Sequence, residues 1–190
     1  MLVPPLDLKL QYQRLRQAID DAVHGVLESG QFVLGPNVRA LEDELATVLG
    51  VRQTVALASG TDALHLAIRA CGIGAGACVL TSPFTFVATA TAISYTGARP
   101  LFADIQPGSF NLDPERVAEV LAGKASGPRP EGRVKAILPV HLYGLPADMD
   151  PLLTLARTYR LRVIEDAAQA IGAEYRGRKV GSLGDVGCFS

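Results

Sequence analysis

From residue 51 onward, short runs rich in apolar and β-branched residues alternate with segments whose apolar residues recur at helical spacing. This strand, helix, strand order implies right-handed crossovers and a largely parallel sheet with helices on both faces. We therefore predict an α/β fold with three layers. The predicted strands are residues 54–58, 77–81, 99–103, 134–140, 162–165 and 186–190, and the predicted helices are 62–71, 86–96, 113–122 and 149–159.

The first 50 residues have a different period and predict two helices. Leu15, Ile19 and Val23 mark the apolar stripe of an amphipathic helix over about residues 10–28. A Gly-Pro pair at residues 35–36 opens the second helix, and Gly50 ends it. A connector that contains glycine and proline is expected at 124–133.

Composition narrows the classes of partner and compartment. The 190 residues are 48% hydrophobic, which suits one domain with a sizeable core. A net charge of -1 gives no electrostatic footprint for nucleic acid or an anionic membrane, so we expect a small molecule or another subunit as partner. Three cysteines without paired ligand spacing argue against a disulfide framework or a metal site and suit the cytoplasm. Neither a signal peptide nor a membrane span is expected.

The predicted strand at 162–165 delivers a carboxylate, Asp166, to its own end, and an alanine-rich segment follows at once. One use of this acid is to cap the next helix. The other is to hold a cationic ring nitrogen at the carboxyl edge of the sheet, where α/β proteins place ligands. Local sequence leaves both open. Glu165, one residue earlier, is expected to point to the opposite side of the strand.

Three more polar or aromatic stretches are expected at the same edge. Ser59, Gly60 and Thr61 precede a helix, which makes them a phosphate cradle or a plain helix cap. Phe84 and Phe86 flank the next helix start, and we expect one of these rings to face the crevice unless both belong to the core. His141 follows another strand and is expected to be structural. No GxGxxG or Walker-A pattern supports a nucleotide site of the dehydrogenase or triphosphate type.

Read in order, these stretches resemble the DegT/StrS-type sugar aminotransferases, which are fold-type I pyridoxal-phosphate enzymes. The resemblance covers essentially the whole chain and implies the large domain of the aspartate-aminotransferase fold. Residues 1–50 would be its two N-terminal helices and residues 51–190 its βα repeats, with the C-terminal small domain absent. The matching blocks are residues 59–64, 83–89, 140–144, 165–169 and 181–185.

The resemblance implies a role for six residues toward pyridoxal 5'-phosphate. Asp166 would pair with the pyridine nitrogen, and Gln169 would hydrogen-bond near the phenolic oxygen of the ring. Phe86 would stack on the ring. Gly60 and Thr61 would hold the phosphate with help from the Ser190 hydroxyl. The implied reaction moves an amino group, usually from glutamate, onto a keto sugar linked to a nucleoside diphosphate, in a homodimer.

One family residue is missing from these blocks. The lysine that binds the cofactor covalently lies about five residues beyond the serine that matches Ser190, and none of the four lysines here is expected at the crevice. We therefore expect no catalytic residue within the 190 residues and no activity from them alone. Two alternatives stay open: a sugar dehydratase of the same fold, in which a histidine replaces the lysine, and a non-catalytic cofactor-binding module.

Overall fold

A computed structural model describes residues 7–125 and 131–190 of the chain. Residues 126–130 of the predicted connector lie outside the described part. The helices are α1 (Leu8–Ser29), α2 (Pro36–Leu49), α3 (Gly60–Ala70), α4 (Val87–Tyr95), α5 (Pro114–Leu121) and α6 (Met149–Tyr159). The strands are β1 (Ala77–Thr81), β2 (Arg99–Phe102), β3 (Arg133–Ile137), β4 (Arg162–Asp166), β5 (Glu174–Tyr175), β6 (Arg178–Lys179) and β7 (Val186–Cys188).

Helix ends follow the sequence signals closely. The Asp7 carboxylate accepts the Leu10 N–H at the start of α1, and Gly30 ends that helix in the left-handed conformation. Pro36 occupies the first turn of α2, and Gly50 ends it with positive φ. All six predicted helices are present, with ends within two residues of the prediction.

Five strands form one parallel sheet in the order β2-β1-β3-β4-β7. Its centre is a run of buried apolar strand residues, as expected when both faces are covered by helices. The remaining pair, β5 and β6, forms a small antiparallel hairpin. The predicted mostly parallel sheet is confirmed.

Two apolar cores lie on opposite faces of this sheet. One joins strand residues such as Val79 and Ile164 to α3 and α4, through Ile68 and Ile93. The other joins Leu80 and its neighbours to residues of α5 and α6. The consecutive β1 residues Val79 and Leu80 thus enter different cores, as the two-residue period of a strand requires. The three-layer α/β fold is confirmed.

The predicted strand at residues 54–58 is wrong. In the described structure this segment is assigned to no strand, and Val55 is 74% exposed. Its recorded hydrogen bonds go to α2: the Thr54 hydroxyl donates to the Glu42 carbonyl, and the Ala56 N–H donates to the Glu42 carboxylate. A strand requires a neighbouring ladder, and none of the described strands lies beside this segment. β3 and β7 also end earlier than predicted, at Ile137 and Cys188.

Helix α1 keeps its amphipathic pattern but buries none of its residues against the described chain. Leu15, Val23 and Leu27 along its stripe are each at least half exposed. The following segment adds exposed apolar side chains at Phe32 and Val33. No helix within the described ranges is long and apolar enough to cross a membrane.

Candidate functional site

The carboxyl ends of β1, β3 and β4 meet at one edge of the sheet because the strands run parallel. Past the regular ladder, the His141 N–H donates to the Asp166 carbonyl at 2.9 Å, and the Asp166 N–H donates to the Pro139 carbonyl at 2.9 Å. On the other side Asp166 is in register with Cys188 of β7. Asp166 therefore lies at the carboxyl edge of the sheet, between the segment that follows β3 and strand β7.

The Asp166 carboxyl is buried, with 5% of the residue exposed. Its Oδ2 accepts the Thr89 hydroxyl at 2.8 Å, and its Oδ1 accepts the Ala168 N–H at 3.3 Å. Burial raises the pKa of this carboxyl above its ordinary value, against the lowering effect of the two donors. Asp166 makes no ion pair with any side chain in residues 7–125 and 131–190. The Ala168 N–H belongs to a turn, and no helix among the described residues follows β4, so the alternative in which Asp166 caps the next helix is wrong.

Glu165 points to the other side of the strand, as predicted, and is fully buried. Its carboxylate accepts the His141 Nε2–H at 3.0 Å and three backbone N–H groups, those of Gly181, Leu183 and Gly184, at 2.7–2.8 Å. Burial favours the neutral acid, but these donors outweigh it and hold the pKa of Glu165 below its ordinary value. The carboxylate thus joins β4 to the turn that leads into β7.

His141 has a structural role, as predicted. Its Nδ1 accepts the Ala147 N–H at 3.0 Å, so Nδ1 carries no proton and the Nε2–H is the donor to Glu165. The imidazole is therefore neutral. It is fully buried and connects the loop after β3 to the Glu165 carboxylate.

Gly60 begins α3 and lies against Ser190. A Cβ at Gly60 would stand 2.8 Å from the Ser190 Cβ and 3.2 Å from its Oγ, so only glycine allows this approach. Ser59 caps the helix by accepting the Asp62 N–H at 3.1 Å. The first turn of α3 therefore presents its free N–H groups beside a serine hydroxyl, which is the arrangement that binds anions. Three of the predicted residues, Gly60, Thr61 and Ser190, are brought together here.

The loop from residue 82 to 86 carries two exposed aromatic rings. Phe86, the residue just before α4, is 72% exposed, and Phe84 is 46% exposed. The Phe84 ring packs against Phe110 with centroids 5.6 Å apart. Neither ring is a core residue, so the alternative in which both are buried is wrong within the described structure.

Gln169 lies just beyond Asp166, in the turn that follows β4. Its Oε1 accepts the backbone N–H of Tyr143 at 2.9 Å, which ties this turn to the loop after β3. Tyr143 has a positive φ of 53° and is 79% exposed. The Gln169 amide is thus oriented by a residue whose backbone is held in a rarely populated conformation.

Two residues at this edge have roles that the sequence patterns did not assign. Among the residues that the structure describes, Thr89 supplies the only side-chain hydrogen bond to Asp166. Asn111 holds the loop after β3 by accepting the Leu142 N–H and donating to the Leu145 carbonyl. The sequence carries no local signal for the Thr89 contact, because Thr89 and Asp166 are 77 residues apart. Asn111 had no such signal because its partners are more than 30 residues away.

The lysines lie in the positions expected from the sequence. Lys9 is in α1, Lys124 follows α5, Lys135 is an exposed residue of β3, and Lys179 pairs with Glu174 at 2.7 Å in the small hairpin. All four belong to the described residues, and none has a recorded hydrogen bond or ion pair with Asp166.

The parallel sheet, the buried carboxylate at its carboxyl edge and the adjacent helix N-terminus define an α/β protein with a ligand site at the edge of its sheet. Residues 13–190 match the sequence profile of the DegT/DnrJ/EryC1/StrS aminotransferase family. The chain belongs to this family. The predicted family is confirmed.

Individual relatives agree with this assignment. The chain is 48% identical over 188 residues to a UDP-N-acetyl-3-dehydro-alpha-D-glucosamine 3-aminotransferase of Acidithiobacillus ferrooxidans, covering 99% of the chain and 48% of the relative. Among solved structures, a DegT DnrJ EryC1 StrS aminotransferase from Brucella abortus aligns with a TM-score of 0.90 at 36% identity, over 100% of this chain and 50% of that one. The ntda protein of Bacillus subtilis, solved with bound cofactor PMP, aligns with a TM-score of 0.79 at 35% identity, over 90% and 36%.

The chain spans about half the length of the curated relatives it matches. The family match and the neighbour that holds PMP both support the predicted cofactor, pyridoxal phosphate. The activity, substrates and partners of the whole protein are treated below as proposals.

Proposed function

We propose that this chain holds pyridoxal 5'-phosphate in a protein that transfers an amino group to a nucleotide-linked keto sugar, in amino-sugar or polysaccharide biosynthesis. The observation that carries the proposal is the Asp166 carboxyl, which is buried at the sheet edge without a cationic partner among the described residues. Burying an unpaired carboxylate is unfavourable. A bound ligand with a protonated ring nitrogen would offset this cost.

The residues present fit such a cofactor at both of its ends. Asp166 would hold the ring nitrogen, and when bound the cofactor supplies an electron-accepting ring whose capacity increases with that protonation. At the other end, Gly60 and Thr61 would donate backbone and hydroxyl hydrogen bonds to the phosphate from the N-terminus of α3, with Ser190 beside them. Dipole and donors there favour an anion.

Two further residues would orient the ring between these ends. Phe86 is exposed at the start of α4 and is placed to stack on a planar ring. Gln169 keeps its amide nitrogen for a ligand because its oxygen already accepts the Tyr143 N–H. We propose that this amide donates to the phenolic oxygen of the cofactor.

The proposed substrate class rests on the relatives. The Acidithiobacillus ferrooxidans relative is named for a UDP-linked keto sugar, and its alignment extends over nearly all of this chain. We propose glutamate as the amino donor. We also propose that residues 1–50 and 51–190 form the N-terminal part of a larger cofactor-binding domain.

The protein is further proposed to be a cytoplasmic homodimer. The exposed apolar stripe of α1, with Leu15 and Val23, continues into exposed Phe32 and Val33, and contiguous apolar surface of this kind is typical of an interface. None of the described cysteines forms a disulfide, which suits a reducing compartment. Light scattering on the complete protein tests the dimer, and a monomer at micromolar concentration would contradict it.

The cofactor site is tested by titrating the complete protein with pyridoxal phosphate and following cofactor absorbance. Asp166→Asn is expected to weaken binding at least about tenfold, since a charge-assisted hydrogen bond is lost. Asp43→Asn makes the same change on the exposed side of α2 and serves as the matched control. Equal affinity of both variants would refute the role of Asp166.

The reaction is tested separately with glutamate and a panel of nucleotide-linked keto sugars, by following the aminated sugar with mass spectrometry. Loss of water from the sugar without amination would instead assign the dehydratase alternative. Cofactor binding without either product would support the non-catalytic module.

A further inference from the structure

Thr89, in the first turn of α4, contacts Asp166. The residue is 1% exposed, and its hydroxyl donates to Asp166 Oδ2 at 2.8 Å. A second hydroxyl, that of Thr85, lies 2.9 Å from the Thr89 oxygen. The two threonines and the carboxylate therefore form one continuous hydrogen-bonded chain.

The direction of this chain follows from proton counting. A hydroxyl has one proton, and an ionised carboxylate can only accept, so the Thr89 proton points to Asp166. The Thr89 oxygen must then accept the Thr85 proton. The donated proton of Thr85 helps to fix the orientation of the Thr89 hydroxyl, and Thr85 lies directly before Phe86 in the loop that carries the exposed ring.

Few other groups can stabilise the negative charge of Asp166. The Ala168 N–H donates to Oδ1 at the longer distance of 3.3 Å. His141, from the loop after β3, is neutral and uses its one ring N–H on Glu165. Cys188 of β7 faces the Asp166 carboxylate. Burial, and to a lesser extent the charge of Asp166, raises the pKa of the Cys188 thiol to about 12, so the thiol remains uncharged. Glu165 is anionic but lies on the other side of β4.

We propose that Thr89 is a positioning residue that orients the Asp166 carboxylate and keeps it charged, and that Thr85 orients Thr89 and so links the loop that carries Phe86 to Asp166. This inference rests on the proposed function, because it concerns the group that would face a protonated ring nitrogen. It assigns to the two threonines a role in the strength of cofactor binding.

The decisive variant is Thr89→Val, which keeps the shape of the side chain and removes the hydroxyl. Thr89→Ser restores the hydroxyl and should recover the wild-type behaviour. Thr91→Val is the matched control, because Thr91 lies in the same helix and its hydroxyl donates to the Val87 carbonyl on the exposed side. All variants are made in the complete protein.

The first readout is the pKa of Asp166 without cofactor, from the chemical shift of its ¹³C-labelled carboxyl, assigned with Asp166→Asn. Thr89→Val is expected to raise this pKa by about one unit or more, because the stronger of two donors to the charged form is lost. The second readout is affinity for pyridoxal phosphate, expected to fall about three- to tenfold. Thr91→Val should change neither quantity.

Thr85→Val tests the second link without altering the buried helix face. It should raise the pKa of Asp166 by less than Thr89→Val does, and the double variant should resemble Thr89→Val, since Thr85 acts only through Thr89. Additive effects of the two substitutions would overturn the proposed chain. Because Thr85 is only partly buried, this arm also covers the case in which Thr89→Val does not fold.

The outcomes separate this inference from the proposed function. If Asp166→Asn weakens cofactor binding but Thr89→Val leaves both the pKa and the affinity unchanged, the inference is wrong and the cofactor role of Asp166 stands. If Thr89→Val raises the pKa while Asp166→Asn binds cofactor like the wild type, the threonines act on Asp166 as inferred and the proposed role of Asp166 is wrong.

Discussion

Replacing Glu165 by glutamine tests the idea that this carboxylate fastens the turn before β7. The acid accepts four hydrogen bonds, two on each oxygen: Leu183 and Gly184 N–H on Oε1, His141 Nε2–H and Gly181 N–H on Oε2. Glutamine has one oxygen and one amide group that only donates. In either amide orientation, two buried donors would face another donor.

The magnitude follows from this geometry. A buried donor left without an acceptor costs about 1–3 kcal/mol, and the two surviving bonds each weaken by about 1 kcal/mol when the acceptor loses its charge. Partial relaxation of the turn reduces the sum. We expect Glu165→Gln to lower the free energy of unfolding by about 4 kcal/mol, a large share of the usual total of about 5–15 kcal/mol.

The assay is urea denaturation of the complete protein, followed by circular dichroism, with Glu174→Gln as control. Glu174 forms a partly exposed pair with Lys179, so the same chemical change there should cost at most about 1 kcal/mol. If Glu165→Gln costs no more than the control, Glu165 is not the anionic acceptor of four donors.

Three further outcomes are expected. Gly60→Ala places a Cβ 2.8 Å from the Ser190 Cβ, so it should displace that serine. In an absorbance titration the variant should bind pyridoxal phosphate about tenfold or more weakly. Unchanged affinity would contradict the proposed phosphate site at Gly60 and Ser190. Burial raises the pKa of Asp166 in the folded state, so the stability that the protonated Asp166 contributes is present below the unfolded pKa and is lost as pH rises through the folded pKa. Asp166→Asn should therefore raise the thermal midpoint of the cofactor-free protein at pH 7 but not at pH 3. A lower midpoint at pH 7 would contradict this. Cys188 is 3% exposed, and burial raises its pKa to about 12, so the native protein should label with a disulfide reagent at pH 8 on Cys71 before Cys188, and the reverse order in peptide mapping would refute the burial argument.

Helix positions were the most predictable feature of the fold. Local signals mark them: the carboxylate of Asp7, the Gly-Pro pair before α2 and Gly50 after it act within one turn of the helix end. Strand positions depended on neighbours. Residues 54–58 have strand-like composition, yet a strand exists only where another strand completes its hydrogen bonds.

The candidate site divides in the same way. Asp166, Gly60 and Phe86 could be selected because each follows a pattern that places it at the edge of the sheet, and the family resemblance added Gln169 and Ser190. The sequence also placed Glu165 and Asp166 on opposite sides of β4, because consecutive strand residues alternate. Those statements need only the period of a strand and the order of elements.

The partners of these residues required the tertiary structure. Thr89 meets Asp166 from 77 positions away, and Glu165 meets three N–H groups of a turn 16–19 residues later. Such contacts depend on how helices pack on a sheet, which no local pattern specifies. The sequence by itself determined the order of helices and most strands and which acids reach the edge. Tertiary packing decided their charge, because the pKa of a buried carboxyl depends on the donors that surround it.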